Sequence, residues 1–255
     1  MKVLLVGATG NVGIRLVASL LTHNHTVVAF VRSASKLESM LSTDVYKRLT
    51  VVGGNATDTQ SIKRAILDNN CNAVINSAGV AAVAPWGKSE LPAIFRTVLD
   101  AVQQAGSEKG TPLRVWFMGG TGVLCFPGTQ TMLSNYIPIF LEHRANFKLL
   151  EALPANSVNW SMLCPSNMVP ESADIVVPTN STSPRLIAKA TTPPNWKDSW
   201  LLQYIPFFGR VIVAGMNASR LQTTLEQNAD LIAEDLEMED SQWVGKRVGV
   251  IDPSK

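Results

Sequence analysis

Three glycines, Gly7, Gly10 and Gly13, stand three residues apart between an apolar run and an amphipathic one. Glycines so placed serve a particular chemistry. A turn without side chains lets backbone N–H groups approach a pyrophosphate, and a helix starting there adds partial positive charge. The run before the turn, residues 2–6, is short, apolar and rich in β-branched residues, as a buried parallel strand requires. The run after it places Ile14, Val17, Ala18 and Leu21 on one helical face. Strand, glycine turn and helix in that order make a phosphate-binding unit, which an isolated glycine match would not.

The following sequence supplies the elements such a unit needs. Apolar runs read as strands over 26–32, 49–53, 73–77, 114–118 and 159–164. Helical patterns alternate with them over 12–23, 35–41, 59–69, 89–105 and 137–153. The alternation predicts an α/β fold, a doubly wound parallel sheet built of right-handed βαβ units with helices on both faces. After Cys164 the pattern changes. Residues 165–194 are rich in proline, serine and threonine and read as loop. Trp196, Trp200, Tyr204, Phe207 and Phe208 fit one helical face. Residues 225–236 read as an acidic amphipathic helix and 247–251 as a late strand.

The turn Gly7-Ala8-Thr9-Gly10-Asn11-Val12-Gly13 resembles that of extended and atypical short-chain dehydrogenase/reductases, among them NmrA-like, isoflavone-reductase-like and flavin-reductase-like proteins. The likeness runs from Met1 to about Cys164. It implies a Rossmann fold that binds NAD(P) through Gly7, Thr9, Gly10, Asn11, Val12 and Gly13. The expected organisation is one domain, with a dinucleotide-binding core over 1–165 and a substrate-side appendage or lid over 166–255.

Arg32 ends the second expected strand, where an NAD-preferring site places Asp or Glu to accept from the adenosine ribose hydroxyl. A carboxylate there would repel a 2′-phosphate, whereas Arg forms charge-assisted bonds to one. Ser33 and Lys36 lie close by, so the expected cofactor is NADP (NADPH). Asn55 and Ala56 follow the third strand, where the resemblance implies contact with adenine, although the related proteins often carry Asp at the position of Asn55. Asp58 reads as the N-cap of the next helix. Ser77, Ala78 and Gly79 follow the fourth strand, and their small size lets the backbone approach the cofactor.

The catalytic expectations come from the resemblance. Gly119-Gly120-Thr121-Gly122 ends the fifth strand, and Thr121 is its hydroxyl candidate for bonding a substrate carbonyl. Pro165 and Asn167 stand where related proteins meet the nicotinamide amide. A Tyr-x-x-x-Lys pair is expected on the helix after the fifth strand, one helical turn aligning both side chains. Lys148 fits the Lys, but Arg144 stands where Tyr should be. Tyr136 lies outside the motif, ahead of Pro138, and His143 is the replacement acid, since imidazole titrates near neutrality.

Composition bounds the rest. The 255 residues are 46% hydrophobic and 16% charged, enough for a sizeable core. A net charge of +2 without a basic run argues against nucleic acid. No window is apolar enough to span a membrane, and residues 3–6 are too short for a signal segment. Three scattered cysteines, Cys71, Cys125 and Cys164, suggest neither disulfides nor a metal site and point to a reducing, cytoplasmic setting. Asn-x-Ser/Thr triplets at Asn55, Asn159, Asn180 and Asn217 read as chance, two of them within segments expected to be buried.

The leading expectation is an NADP-dependent oxidoreductase acting on a mid-sized, largely apolar organic molecule without the usual Tyr acid. The absent Tyr keeps open a non-catalytic NADP-binding sensor or regulator, and the fold also admits a lyase or isomerase. The aromatics of 196–208, with Met216, admit three uses: substrate pocket or lid, core, and homodimer face.

Overall fold

The computed structural model describes residues 1–172, 183–203, 205, 208–218 and 220–255. In chain order the elements are β1 (Lys2–Val6), α1 (Asn11–Thr22), β2 (Thr26–Val31), α2 (Ala34–Met40), α3 (Thr43–Tyr46), β3 (Thr50–Gly53), α4 (Thr59–Asp68), β4 (Ala73–Asn76), α5 (Leu91–Lys109) and β5 (Arg114–Met118). Then come α6 (Glu142–Glu151), β6 (Asn159–Cys164), β7 (Met168–Val169), β8 (Ile187–Ala190), α7 (Trp200–Gln203), α8 (Gly209–Ala218), β9 (Thr223–Thr224), α9 (Leu225–Asp235) and β10 (Lys246–Ile251).

Eight strands form one sheet in the order β3-β2-β1-β4-β5-β6-β10-β8, parallel except for β8, which pairs antiparallel with β10 at the edge. This is the doubly wound α/β sheet the alternation predicts. Successive residues of β1 divide between two cores, as a strand's period of two requires. Leu4 and Val6 pack with Ile62 and Ile66 of α4 and with Phe95 and Val98 of α5. Val3 and Leu5 pack with Leu16, Val17 and Leu20 of α1 and with Ile232 of α9. Local caps fix the helix starts. Asp58 accepts from the N–H groups of Gln60 and Ser61, as expected, and Ser33 caps α2. Thr224 and Gln227 form a reciprocal capping box on α9.

Segment 166–255 divides. β10 and β8 extend the sheet, and α9 lies against α1, so these elements belong to the core layers rather than to an appendage. Arg15 of α1 bonds Glu226 of α9 at 2.9 Å, and His23 bonds Asp230 and Glu237. Arg114 and Trp116 of β5 share the buried carboxylate of Asp235. Three other expectations are corrected. β7 and β8 lie in the stretch expected as loop. The helix expected over 137–153 starts at Glu142, because Phe140 takes a left-handed backbone (φ 51°) that a helix cannot contain. The aromatics of 196–208 do not share one face: Trp196 is half-buried ahead of α7, whereas Trp200 and Phe208 are exposed. Tyr204 and Phe207 lie outside the described residues, as does Asn180. Of the other triplets, Asn217 is buried, Asn159 half-buried and Asn55 exposed. Among the described residues no helix is long and apolar enough to cross a membrane, and no group of three His, Cys, Asp or Glu residues could hold a metal.

Candidate functional site

Strand order reverses between β1 and β4, and a cleft of about 640 Å³ opens there at the carboxyl ends of the strands. Gly7, Thr9, Gly10, Asn11 and Val12 form one wall. Gly7 has φ +95°, and a Cβ on it would lie 2.7 Å from the Ala78 nitrogen. Gly13 does not line the cleft. It is buried beneath the turn, where a Cβ would stand 2.0 Å from the Gly7 oxygen, and so it sets how closely α1 approaches β1. Gly10 is exposed to the cleft and caps α1 with no side-chain bond, and no acidic residue sits in the first helical turn. The first N–H groups of a twelve-residue helix therefore face the cleft without a side-chain acceptor. Opposite, Ser77, Ala78 and Gly79 form the second wall. The Ser77 hydroxyl donates to the Val6 oxygen at 3.0 Å and thereby ties the ends of β4 and β1 together.

At the far end of this cleft, Arg32 and Lys36 line the opening, exposed and without an ion-pair partner among the described residues. Ser33 is not at the surface of the cleft; its hydroxyl is spent on the Lys36 N–H and on Ser35. Asn55 and Ala56 line the same end. The Asn55 side-chain oxygen accepts from the Thr57 N–H at 3.1 Å, which leaves its NH2 as the free donor. Val6, Phe30, Val31, Gly54, Thr57, Glu90 and Ile94 also line it, and of these Phe30, Glu90 and Ile94 belong to no motif in the sequence.

A second cleft, of about 490 Å³, shares Val80 with the first. It gathers Thr121, His143, Pro165 and Asn167 from three separate segments. Thr121 opens a short 3-10 turn held by its N–H bond to the Pro165 oxygen, 3.0 Å. The rest of the lining is chiefly apolar, with Leu133, Ile137, Ile139, Trp196 and Leu221. Arg144, Ser134 and Trp196 also face it. Among the described aromatics of the 196–208 group, Trp196 alone is in this lining, packed edge-on to Phe126 at 5.3 Å.

A family model described as NAD(P)H-binding matches residues 7–187. The chain belongs to this NAD(P)H-binding family. Solved structures agree on the fold. A protein from Lactobacillus casei is 18% identical with a TM-score of 0.67, covering 99% of each chain. A short-chain dehydrogenase/reductase from Veillonella parvula in complex with NADP is 14% identical, with a TM-score of 0.61 over 99% of this chain and 94% of that one. An oxidoreductase from Lactococcus lactis is 16% identical, with a TM-score of 0.62 over 99% and 91%. No match is found among the curated proteins compared. The chain thus has an NAD(P)-binding Rossmann fold, which the solved structures share.

Within this NAD(P)H-binding fold, α6 corrects one expectation. Lys148 is exposed and lines neither cleft. A helix turns about 100° per residue, so a one-residue difference in register moves a side chain to another face. His143 and Arg144 both line the second cleft, and the residues one turn later are Phe147, buried between Trp160 and Arg247, and the exposed Lys148. Lys148→Met is therefore expected to leave NADPH affinity within about 0.5 kcal/mol, as for an uninvolved surface site. Titration calorimetry checks this, and a tenfold loss would restore the motif register. Tyr136 lines neither cleft, and its hydroxyl accepts from Arg210 at 3.0 Å.

His143 is not poised as an acid. Burial pushes its imidazole down to about 4, against the pull of neighbouring Glu142. At neutral pH it is an uncharged ring that makes no hydrogen bond, and its Nδ1 is buried. Glu142 anchors the helix start: it accepts from the N–H groups of Ala82 and Ser89, at 2.8 and 2.7 Å, and from the Ser89 hydroxyl. Burial works to raise the Glu142 carboxyl, but these bonds outweigh it and hold the group below its ordinary value. The loop after β4 is thus strapped to α6, and this strap positions His143 beside Gly120.

Proposed function

We propose that the chain is an NADP-dependent oxidoreductase that transfers hydride to or from a mid-sized, largely apolar organic molecule, without a Tyr acid. The observation that carries this reading is Arg32 and Lys36, two cations without an ion-pair partner among the described residues, at the end of a cleft that continues through Val80 into an apolar one. The clefts fit the cofactor. Gly10 leaves room at the bare N-terminus of α1 for a pyrophosphate, Asn55 offers NH2 to a ring nitrogen, and the two cations suit a 2′-phosphate. NADPH, when bound, supplies the hydride. The chain's own residues bind, orient and exclude water. Thr121 and neutral His143 offer bonds to a substrate oxygen, with Pro165 and Asn167 beside them, and the apolar lining keeps the reaction dry.

Kinship with NmrA-like proteins rests on the spacing of Gly7, Gly10 and Gly13. A cytoplasmic setting is supported by three free, buried cysteines, of which Cys71 and Cys164 are pushed by burial up to about 11 and about 12. A homodimer face is supported by the exposed Trp200, Leu201, Phe208 and Met216. A non-catalytic NADP sensor is the second reading. Phe147 one turn after His143, where a Tyr-Lys pair would require Lys, favours it.

Calorimetric titration with NADPH and NADH tests the proposal. NADPH binds more tightly, and Arg32→Ala weakens it by about 1.5–3 kcal/mol, the range for bonds to charged groups, while NADH affinity barely changes. Equal or tighter NADH binding by the unaltered chain overturns NADP preference.

A further inference from the structure

The second cleft holds a mismatch. Its walls are mostly apolar, yet among its described lining residues Arg144 is the single charged side chain and has no hydrogen bond or ion pair. The nearest carboxylate in sequence, Glu142, is not available to it, since both its oxygens are bound by Ala82 and Ser89. A guanidinium is cationic at any physiological pH and only donates. Half-buried at the cleft, it is a cation with no anion among the described residues to meet it.

Three residues that line the same cleft each carry a buried, unpartnered polar atom: Ser134 Oγ, Trp196 Nε1 and His143 Nδ1. Ser134 is 2% exposed. Buried groups of this kind are almost always paired, so a cluster of them around one cavity describes the group that completes it. An indole N–H donates only and a serine hydroxyl donates readily. The partner these atoms require is rich in acceptor oxygens and negatively charged. The first turn of α6, which carries His143 and Arg144, adds its positive end to the same wall.

We propose that this cleft selects an apolar molecule bearing a carboxylate, held by the Arg144 guanidinium with Ser134 and Trp196 as further donors. The proposal rests on the reading of this cleft as the substrate site and narrows its substrate class. An Arg fork matches the two oxygens of a carboxylate, which an alcohol or a plain ketone cannot offer. The volume of about 490 Å³ suits a molecule of modest size.

The test is titration calorimetry of the full chain with 4-phenylbutyrate and with 4-phenylbutan-1-ol, which share an apolar body, in the presence and absence of NADPH. The acid is expected to bind at least about tenfold more tightly, the least that a charge-assisted bond contributes. Arg144→Met removes the difference while leaving the alcohol unchanged, and Arg144→Lys keeps part of it. The difference in the unaltered chain is readable even if a variant fails to fold. Equal binding of the two probes, binding of neither at millimolar concentration, or a preference that survives Arg144→Met overturns the proposal. If NADPH does not bind but the acid preference stands, the oxidoreductase reading fails and this one holds. NADPH binding without acid preference is the reverse.

Discussion

Gly10→Val abolishes NADPH binding in a chain that remains folded. The backbone of Gly10 has φ −84° and ψ 166°, an extended conformation open to any residue and favourable to a β-branched one. The protein atom nearest an added Cβ is the Gly7 oxygen, 3.3 Å away. A valine can therefore be built at this position with small local adjustment, and what it occupies is the space above the first turn of α1. If the pyrophosphate loses two charge-assisted bonds to that turn, the loss is about 3–6 kcal/mol, or 10²–10⁴-fold in affinity. Calorimetry measures the binding and circular dichroism the fold. Retained affinity would mean that the turn serves the fold alone.

Gly13→Val is the contrasting case within the same turn. Its Cβ would fall 2.0 Å from the Gly7 oxygen, against backbone that cannot move without separating α1 from β1. This variant loses stability first and binding in consequence. The two glycines look alike in sequence, and the difference between them is between a ligand's space and the protein's own.

The sequence carries the core of the fold in its periodicity. The bounds of β1, β5 and β6 coincide with the apolar runs, because central parallel strands are buried on both faces and therefore chiefly apolar, Ser161 being the one polar residue inside them. β8 does not read this way. It lies at the sheet edge and is half-exposed along its length, so no apolar run marks it. The lining of the first cleft was legible wherever a residue's place follows from distance along the chain to a strand end, as for Arg32 and Asn55. The second cleft was not, because its residues meet through long-range contacts. Trp196 is held there by the Asn217 side chain, which bonds both the N–H and the oxygen of Lys197. Phe140 breaks the expected helix with a backbone conformation that no apolar pattern reveals. His143, not Lys148, sets the register of α6, because Glu142 and Phe147 fix the helix on its neighbours.

That placement of His143 has a consequence for stability. In the unfolded chain its imidazole takes a proton near its ordinary value of 6.5, whereas in the folded protein burial holds protonation off to about 4. Between these two values the unfolded state binds the proton and the folded state does not. Stability from this group is therefore complete above pH 6.5 and falls as the pH drops toward 4, by about 3 kcal/mol in all. His23 works in the opposite sense. Burial lowers its affinity for a proton, but Asp230 and Glu237 outweigh burial and raise it, so His23 favours the folded state on the acid side. A comparison with His143→Leu isolates the first effect, because leucine fills similar space and cannot titrate. Urea unfolding followed at pH 7, 6, 5 and 4 should show the two proteins converging as the pH falls, or the variant overtaking, with His23 and the carboxylates contributing equally to both. Parallel curves would show that His143 accepts its proton as readily folded as unfolded. In that case the imidazole is hydrated in the cleft, and its part in the site would be that of an ordinary neutral-range acid.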